Sequence, residues 1–243
     1  LERALYNSVN SGMSTEGNLY CYRNPLELVG NPDDKIRNPW YDTTCCPPRL
    51  ERILASLPGY LYGTSDDGVY VHLYHGSQMD WRLRDGTALR LSQQTAYPWD
   101  GRIELTVDPA APKEFALYLR IPGWTSSASI LVNGAKVTGD VQPGRYFAVK
   151  RAWQKGDRVQ LNLDMAVRPV VSHQLVRENN GKVTVERGPL VYCMEQIDQP
   201  ADTIWHNARL VLPPENPASG FTVRKRDDLF GGVMTIEHAA ETY

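Results

Sequence analysis

Ile103-Glu104-Leu105-Thr106-Val107 alternates apolar and polar residues, and Phe115-Ala116-Leu117-Tyr118-Leu119-Arg120-Ile121 repeats the pattern a few residues on. A period of two places every second side chain on one face, the signature of a half-buried β-strand. The same alternation runs through residues 69–74, where Val69, Val71 and Leu73 interleave with Tyr70, His72 and Tyr74, and through 88–91 and 130–132. Asn133-Gly134 follows directly, and that dipeptide favours the tight turn of a β-hairpin. Further strands are predicted at 145–150, 158–163, 182–187, 189–194 and 232–237. Short strands separated by turns at such spacing predict antiparallel β-sandwiches. The prediction is a mainly β chain, with a first sandwich over 63–167 and a second, truncated one over 168–243. Val167-Arg168-Pro169 marks the division between them.

Upstream of residue 62 the period changes to 3.6. Leu50, Ile53, Leu54 and Leu57 fall at i, i+3, i+4 and i+7, which predicts a helix over 48–57 packed through those four side chains. Pro58-Gly59 ends it. Cys45-Cys46-Pro47-Pro48 opens it, since proline suits a first turn where its missing N–H would have no partner. Two adjacent cysteines at a helix N-terminus sit where partial positive charge favours a thiolate. Residues 1–10 read as the end of another helix, stopped at Gly12, so the chain is expected to be a fragment of a longer protein. The stretch 13–44 between the helices is polar, irregular and aromatic (Tyr20, Tyr22, Trp40, Tyr41), and loops of that length are commonly functional.

The 26 basic and 28 acidic residues nearly cancel, which argues against nucleic acid and against an acidic membrane surface as partners. No apolar run is long enough to span a bilayer. Four cysteines at 21, 45, 46 and 193 are too few and too unevenly spaced for a disulfide framework. Seventeen prolines and 19 glycines suit a turn-rich β protein, and 13 tyrosines and six tryptophans are frequent company in sugar sites.

Cys45 and Cys46 are open to two readings. One is a pair of buried thiols or a vicinal disulfide; the other is a zinc-thiolate site or a nucleophile, and zinc would need further ligands from elsewhere. Cys193, in the apolar run Leu190-Val191-Tyr192-Cys193, reads as core. His72 and His75 do not form a chelating pair and read as surface or sandwich-edge residues; His173, His206 and His238 read as solvated. Glu16 and Glu27 lie in the long loop beside the cysteines and Asp42 just before them, and for each of these carboxylates acid/base work competes with a solvated role. A non-catalytic carbohydrate-binding sandwich and a purely structural domain are the rival functional classes, the first favoured by exposed Trp and Tyr on one sheet face.

Several stretches resemble glycoside hydrolase family 127, the bacterial β-L-arabinofuranosidase-like enzymes. They are Glu2-Arg3-Ala4-Leu5-Tyr6-Asn7, Ser11-Gly12-Met13-Ser14, Tyr22-Arg23-Asn24-Pro25-Leu26-Glu27, Trp40 with Cys45-Cys46-Pro47-Pro48, Leu54-Ala55-Ser56, and Glu186-Arg187-Gly188-Pro189-Leu190-Val191-Tyr192. The resemblance implies an (α/α)6 barrel followed by two β-sandwiches, with residues 1–62 forming the last part of the barrel. It implies a retaining mechanism in which Cys45 is both nucleophile and zinc ligand, Cys46 is a further zinc ligand, and Tyr22 contacts the sugar. The carbohydrate is the expected partner and Zn2+ the expected cofactor, with zinc held weakly or not at all by this chain alone. The family's Glu-x-Cys zinc motif and its acid/base glutamate lie upstream of Leu1 by this resemblance, so the barrel segment carrying them is a further expected partner and the chain alone is expected to be inactive. Cys21 does not match the missing zinc cysteine, and a Pro-Tyr-Tyr-like C-terminal motif is not evident. A requirement for free thiols favours the cytoplasm.

Overall fold

The computed structural model describes residues 1–23, 36–43, 45–195 and 208–242. Its centre is a β-sandwich. A six-stranded sheet runs in the order Ala135–Lys136, Ala128–Val132, Asp157–Leu163, Arg102–Pro109, Ala88–Thr95, Ser77–Arg82. A four-stranded sheet faces it, in the order Tyr146–Trp153, Lys113–Arg120, Gly68–Val71, Tyr62–Ser65. The alternation read from the sequence is the cause: Ile103, Leu105 and Val107 from one sheet and Phe115, Leu117 and Leu119 from the other are buried together. Each such side chain stabilises the fold by about 1.5–3 kcal/mol through removal from water. Trp153 is fully buried among them, and its indole N–H donates to the Phe115 carbonyl at 3.0 Å.

The Asn133-Gly134 hairpin is present. Both residues have positive φ, at 51° and 82°, as the tight turn joining Ala128–Val132 to Ala135–Lys136 requires. One pairing departs from the expected antiparallel pattern: Gly68–Val71 runs parallel to Lys113–Arg120. The intervening strands cross to the other sheet, so the chain returns in its original direction. Gly68 permits this close approach, because a Cβ there would lie 2.0 Å from the Ala116 carbonyl oxygen.

Beyond residue 166 the sheets are small. Val167–Val170, Thr184–Arg187 and Leu190–Tyr192 form three antiparallel strands. Ala208–Leu210 pairs with Ala240–Thr242, and Thr222–Arg226 with Val233–Glu237. Cys193 is exposed rather than packed in a core, because the strand it was assigned to ends at Tyr192.

The N-terminal helix, Glu2–Ala4 continuing as a π-helical turn over Leu5–Val9, joins both β regions. Glu2 is buried and accepts hydrogen bonds from the Tyr97 hydroxyl at 2.6 Å, from the Trp124 indole at 3.0 Å, and from Arg120. Arg3 grips the buried Glu186 carboxylate with two bonds of 2.7 Å, and Arg168 joins it at 2.9 Å. The Asn7 amide donates to the Pro189 carbonyl at 2.9 Å and accepts from the Val191 N–H at 2.8 Å.

The second helix spans Cys46–Ser56, followed by a 3-10 turn over Leu57–Tyr60. Its apolar stripe is not buried as predicted. Leu50, Ile53 and Leu57 are half-buried, and Leu54 is 40% exposed. The stripe exists, and the helix meets the segment around Gly12 and the Tyr20–Cys21 strand, which leave Leu54 largely uncovered. Leu54→Ala is therefore expected to change unfolding stability by no more than about 0.5 kcal/mol, the usual size for a surface position. Leu117→Ala in the sandwich should cost about 2–5 kcal/mol. Urea denaturation of the two variants checks the contrast, and a Leu54 loss equal to that of Leu117 would contradict it.

Candidate active site

The site is built where the irregular segment meets the second helix. Gly12 ends the first helix and leaves room for Leu50, whose Cδ1 would lie 2.9 Å from a Cβ at that position. The Gly12 carbonyl accepts from the Cys21 N–H at 2.8 Å, and Ser11 O accepts from Arg37 Nη2 at 2.7 Å. A short antiparallel pair, Tyr20–Cys21 with Arg37–Asn38, is thereby laid beside the helix. Tyr22 follows it and extends toward the helix N-terminus.

Cys45 is the N-cap of the helix and Cys46 its first residue, with the two prolines next in the first turn. The sulfurs are 3.5 Å apart, and the Tyr22 hydroxyl lies 3.8 Å from Cys45 Sγ. Cys45 and Cys46 are free thiols, which removes the vicinal-disulfide reading, and Cys45 is exposed rather than buried. The two thiols are driven apart in acidity. The hydrogen bond from Cys46, and then that from Tyr22, holds Cys45 below the ordinary thiol range, with Arg49 adding a smaller push in the same direction. Cys46 is raised, chiefly by its hydrogen bond to Cys45. Tyr22 is raised by the same contact with Cys45. The arrangement thus distinguishes one thiolate from its neighbour through side-chain contacts, where the sequence pointed to the helix terminus.

The paired sulfurs fit a shared zinc ion. Two Zn–S bonds of about 2.3 Å at a tetrahedral angle put sulfurs roughly 3.8 Å apart, close to the 3.5 Å seen. They would be two ligands of four: among the described residues, no group of three or more His, Cys, Asp or Glu could hold a metal. The Cys21 sulfur lies 3.9 Å from the Ser11 carbonyl. Glu16 and Asp42 are exposed. Glu27, His206 and the Asn24-Pro25-Leu26 motif lie outside the described residues.

The remaining histidines take no part. His72 is half-buried on the outer face of the four-stranded sheet, 2.5 Å from the Tyr146 hydroxyl. His75 and His173 are exposed. His238 is not simply solvated: it lies 2.6 Å from the Ala239 carbonyl, and its ring centroid is 4.1 Å from that of Phe221. Sequence reasoning gave no role to Tyr41, whose hydroxyl contacts both strands of the pair that presents Tyr22. Its place in the aromatic loop was the only signal available.

Comparison with known proteins covers nearly the whole chain. Residues 1–59 match the model of the β-L-arabinofuranosidase GH127 catalytic domain, 68–165 the GH127 middle domain, and 167–230 the glycoside hydrolase family 127 C-terminal domain. A non-reducing end β-L-arabinofuranosidase of Bifidobacterium longum subsp. longum is 36% identical over 99% of this chain and 38% of its own length. The crystal structure of a GH127 β-L-arabinofuranosidase from Geobacillus stearothermophilus T6 superposes with a TM-score of 0.85 at 38% identity, over 97% of this chain and 37% of that one. A solved GH127 β-arabinofuranosidase gives a TM-score of 0.88 at 35% identity, over 100% of this chain and 39% of its own. The class is thus that of the multidomain glycoside hydrolases. The chain belongs to glycoside hydrolase family 127, and it spans under two-fifths of the length of these relatives.

Proposed function

We propose that this chain carries the nucleophile-bearing part of a retaining glycosidase acting on β-L-arabinofuranosides or related sugars. The observation that carries the reading is the exposed Cys45 thiol, acidified by Cys46 and Tyr22 at a helix N-terminus. A retaining mechanism needs a nucleophile on one face of the sugar and an acid/base on the other. The Cys45 thiolate attacks the anomeric carbon, the C–S bond forming as the glycosidic C–O bond breaks. The leaving oxygen takes its proton from a general acid, which the family resemblance places upstream of this chain. Water, deprotonated by the same group, then displaces the thiolate and releases the sugar with its configuration retained. Tyr22, 38% exposed, orients a furanose hydroxyl while its own hydroxyl faces the sulfur. Cys45 and Cys46 would hold zinc, which when bound keeps a coordinated thiol deprotonated.

In this reading 1–62 belongs to the catalytic domain, and 63–167 and 168–243 are the two β regions that support it. The barrel segment upstream is its structural and chemical partner, and the cytoplasm is its setting. The alternative of a sugar-stacking sheet face is less well supported. The aromatic pair Tyr70 and Tyr118 on the four-stranded sheet stacks ring on ring at 4.1 Å, so those faces are turned to each other.

A haloacetamido derivative of L-arabinofuranose tests the assignment. Incubated with the chain joined to the upstream segment that the family resemblance implies, it is expected to alkylate Cys45 and spare Cys46 and Cys193. Peptide mass spectrometry locates the adduct, and an adduct on any other residue overturns the nucleophile assignment.

A further inference from the structure

Tyr22 reaches Cys45 from the end of a two-residue strand, and so short an element does not hold a side chain in place by itself. Tyr41 supplies the restraint. Its hydroxyl lies 2.6 Å from the Tyr20 carbonyl and 3.2 Å from that of Ile36, 3.1 Å from the Tyr22 N–H, and 3.4 Å from the Asn38 amide nitrogen. A phenol has one proton to donate and lone pairs to accept with. Donation to Tyr20 O and acceptance from the Tyr22 N–H and the Asn38 amide use that capacity fully. The main chain is thereby pinned on both sides of Cys21, and the Tyr41 ring packs against the Tyr22 ring at 5.5 Å.

We propose that Tyr41 is a positioning residue that holds Tyr22 against Cys45, setting the reactivity of that sulfur without touching it. This rests on the reading of Cys45 and Tyr22 as parts of one reacting centre. The geometry makes the restraint matter. At 3.8 Å the Tyr22–Cys45 contact is already long, and a displacement of about 1 Å is enough to break a hydrogen bond or misplace a reacting group. The four hydroxyl contacts named here all end on residues between 20 and 38, so their loss acts on the strand pair that presents Tyr22.

The test is alkylation of the chain by iodoacetamide at neutral pH in the presence of a chelator. Labelling of Cys45, with the exposed Cys193 as reference, is followed by mass spectrometry in Tyr22→Phe, Tyr41→Phe and the double variant. Each single variant is expected to slow Cys45 labelling about two- to fivefold, the scale of an exposed polar contact to a charged group. The double variant should be no slower than Tyr22→Phe, because Tyr41 acts through Tyr22. Normal Cys45 labelling in Tyr41→Phe beside slowed labelling in Tyr22→Phe would overturn the inference. So would losses that multiply in the double variant, or a parallel change at Cys193 with a lowered unfolding midpoint, which marks a purely structural role. If neither single variant slows Cys45, the Tyr22 contact is absent and the inference falls with it. The identity of the nucleophile stays independently readable from the sugar-derived adduct.

Discussion

Replacing Cys45 by serine is expected to lower turnover of a β-L-arabinofuranoside by roughly 10⁴–10⁶-fold, the scale on which loss of a catalytic nucleophile acts. The measurement belongs in the chain joined to the upstream segment proposed to supply the general acid. A serine hydroxyl stays protonated near neutral pH, whereas the Cys45 thiol is held below its ordinary range by Cys46 and Tyr22. Circular dichroism should be unchanged, because Cys45 is exposed and makes no side-chain cap to the helix. Cys46→Ser removes the neighbour that contributes most to that acidity and, in the proposed reading, a zinc ligand as well, since hydroxyl is a poor substitute for thiolate on zinc. Its activity should fall less steeply and recover in part with added zinc. Equal, zinc-insensitive losses in the two variants would show that the sulfurs share a structural task, and the division of roles proposed for them would be withdrawn.

The parts of the fold that the sequence made legible are those whose side chains face two environments. Arg102–Pro109 and Lys113–Arg120 alternate because one face is buried and the other meets water, so their pattern survives without knowledge of their partners. Ser77–Arg82 lies at a sheet edge, where exposure on most positions leaves no alternation to read. The helix after Cys45 was legible as a helix, yet its packing was not, because an apolar stripe states that a face seeks cover and not what covers it. At the site, adjacency made Cys45 and Cys46 conspicuous. Tyr41 acts on the main-chain carbonyls of Tyr20 and Ile36, and no side-chain pattern encodes a bond to a backbone group brought near by folding. Nothing in the sequence marks Glu2 and Glu186 as buried, because their arginine partners are 118 residues away for Glu2, and 183 and 18 away for Glu186.

Glu2→Ala is expected to destabilise the chain by about 3–5 kcal/mol, the cost of removing one member of a buried ion pair and leaving the other uncompensated. The Glu2 side chain is 9% exposed and that of Arg120 is 21% exposed, so water replaces the lost carboxylate poorly. Tyr97 and Trp124 lose their acceptor at the same time, and buried donors without partners add to the loss. Glu2→Gln keeps an acceptor for one of these donors and should fall between wild type and alanine. The joint variant Glu2→Gln/Arg120→Met removes the stranded charge along with its partner. It should be more stable than Glu2→Ala alone, since an apolar side chain tolerates that interior better than an unpaired guanidinium does. Urea denaturation followed by tryptophan fluorescence reads all three, with Trp124 as a local reporter. A loss below about 1 kcal/mol for Glu2→Ala would mean that the carboxylate is solvated, and the first helix would then depend on Arg3–Glu186 and the Asn7 contacts for its seat on the β regions. A loss of the expected size makes Glu2 the point at which the segment leading to Cys45 is fixed to the sandwich.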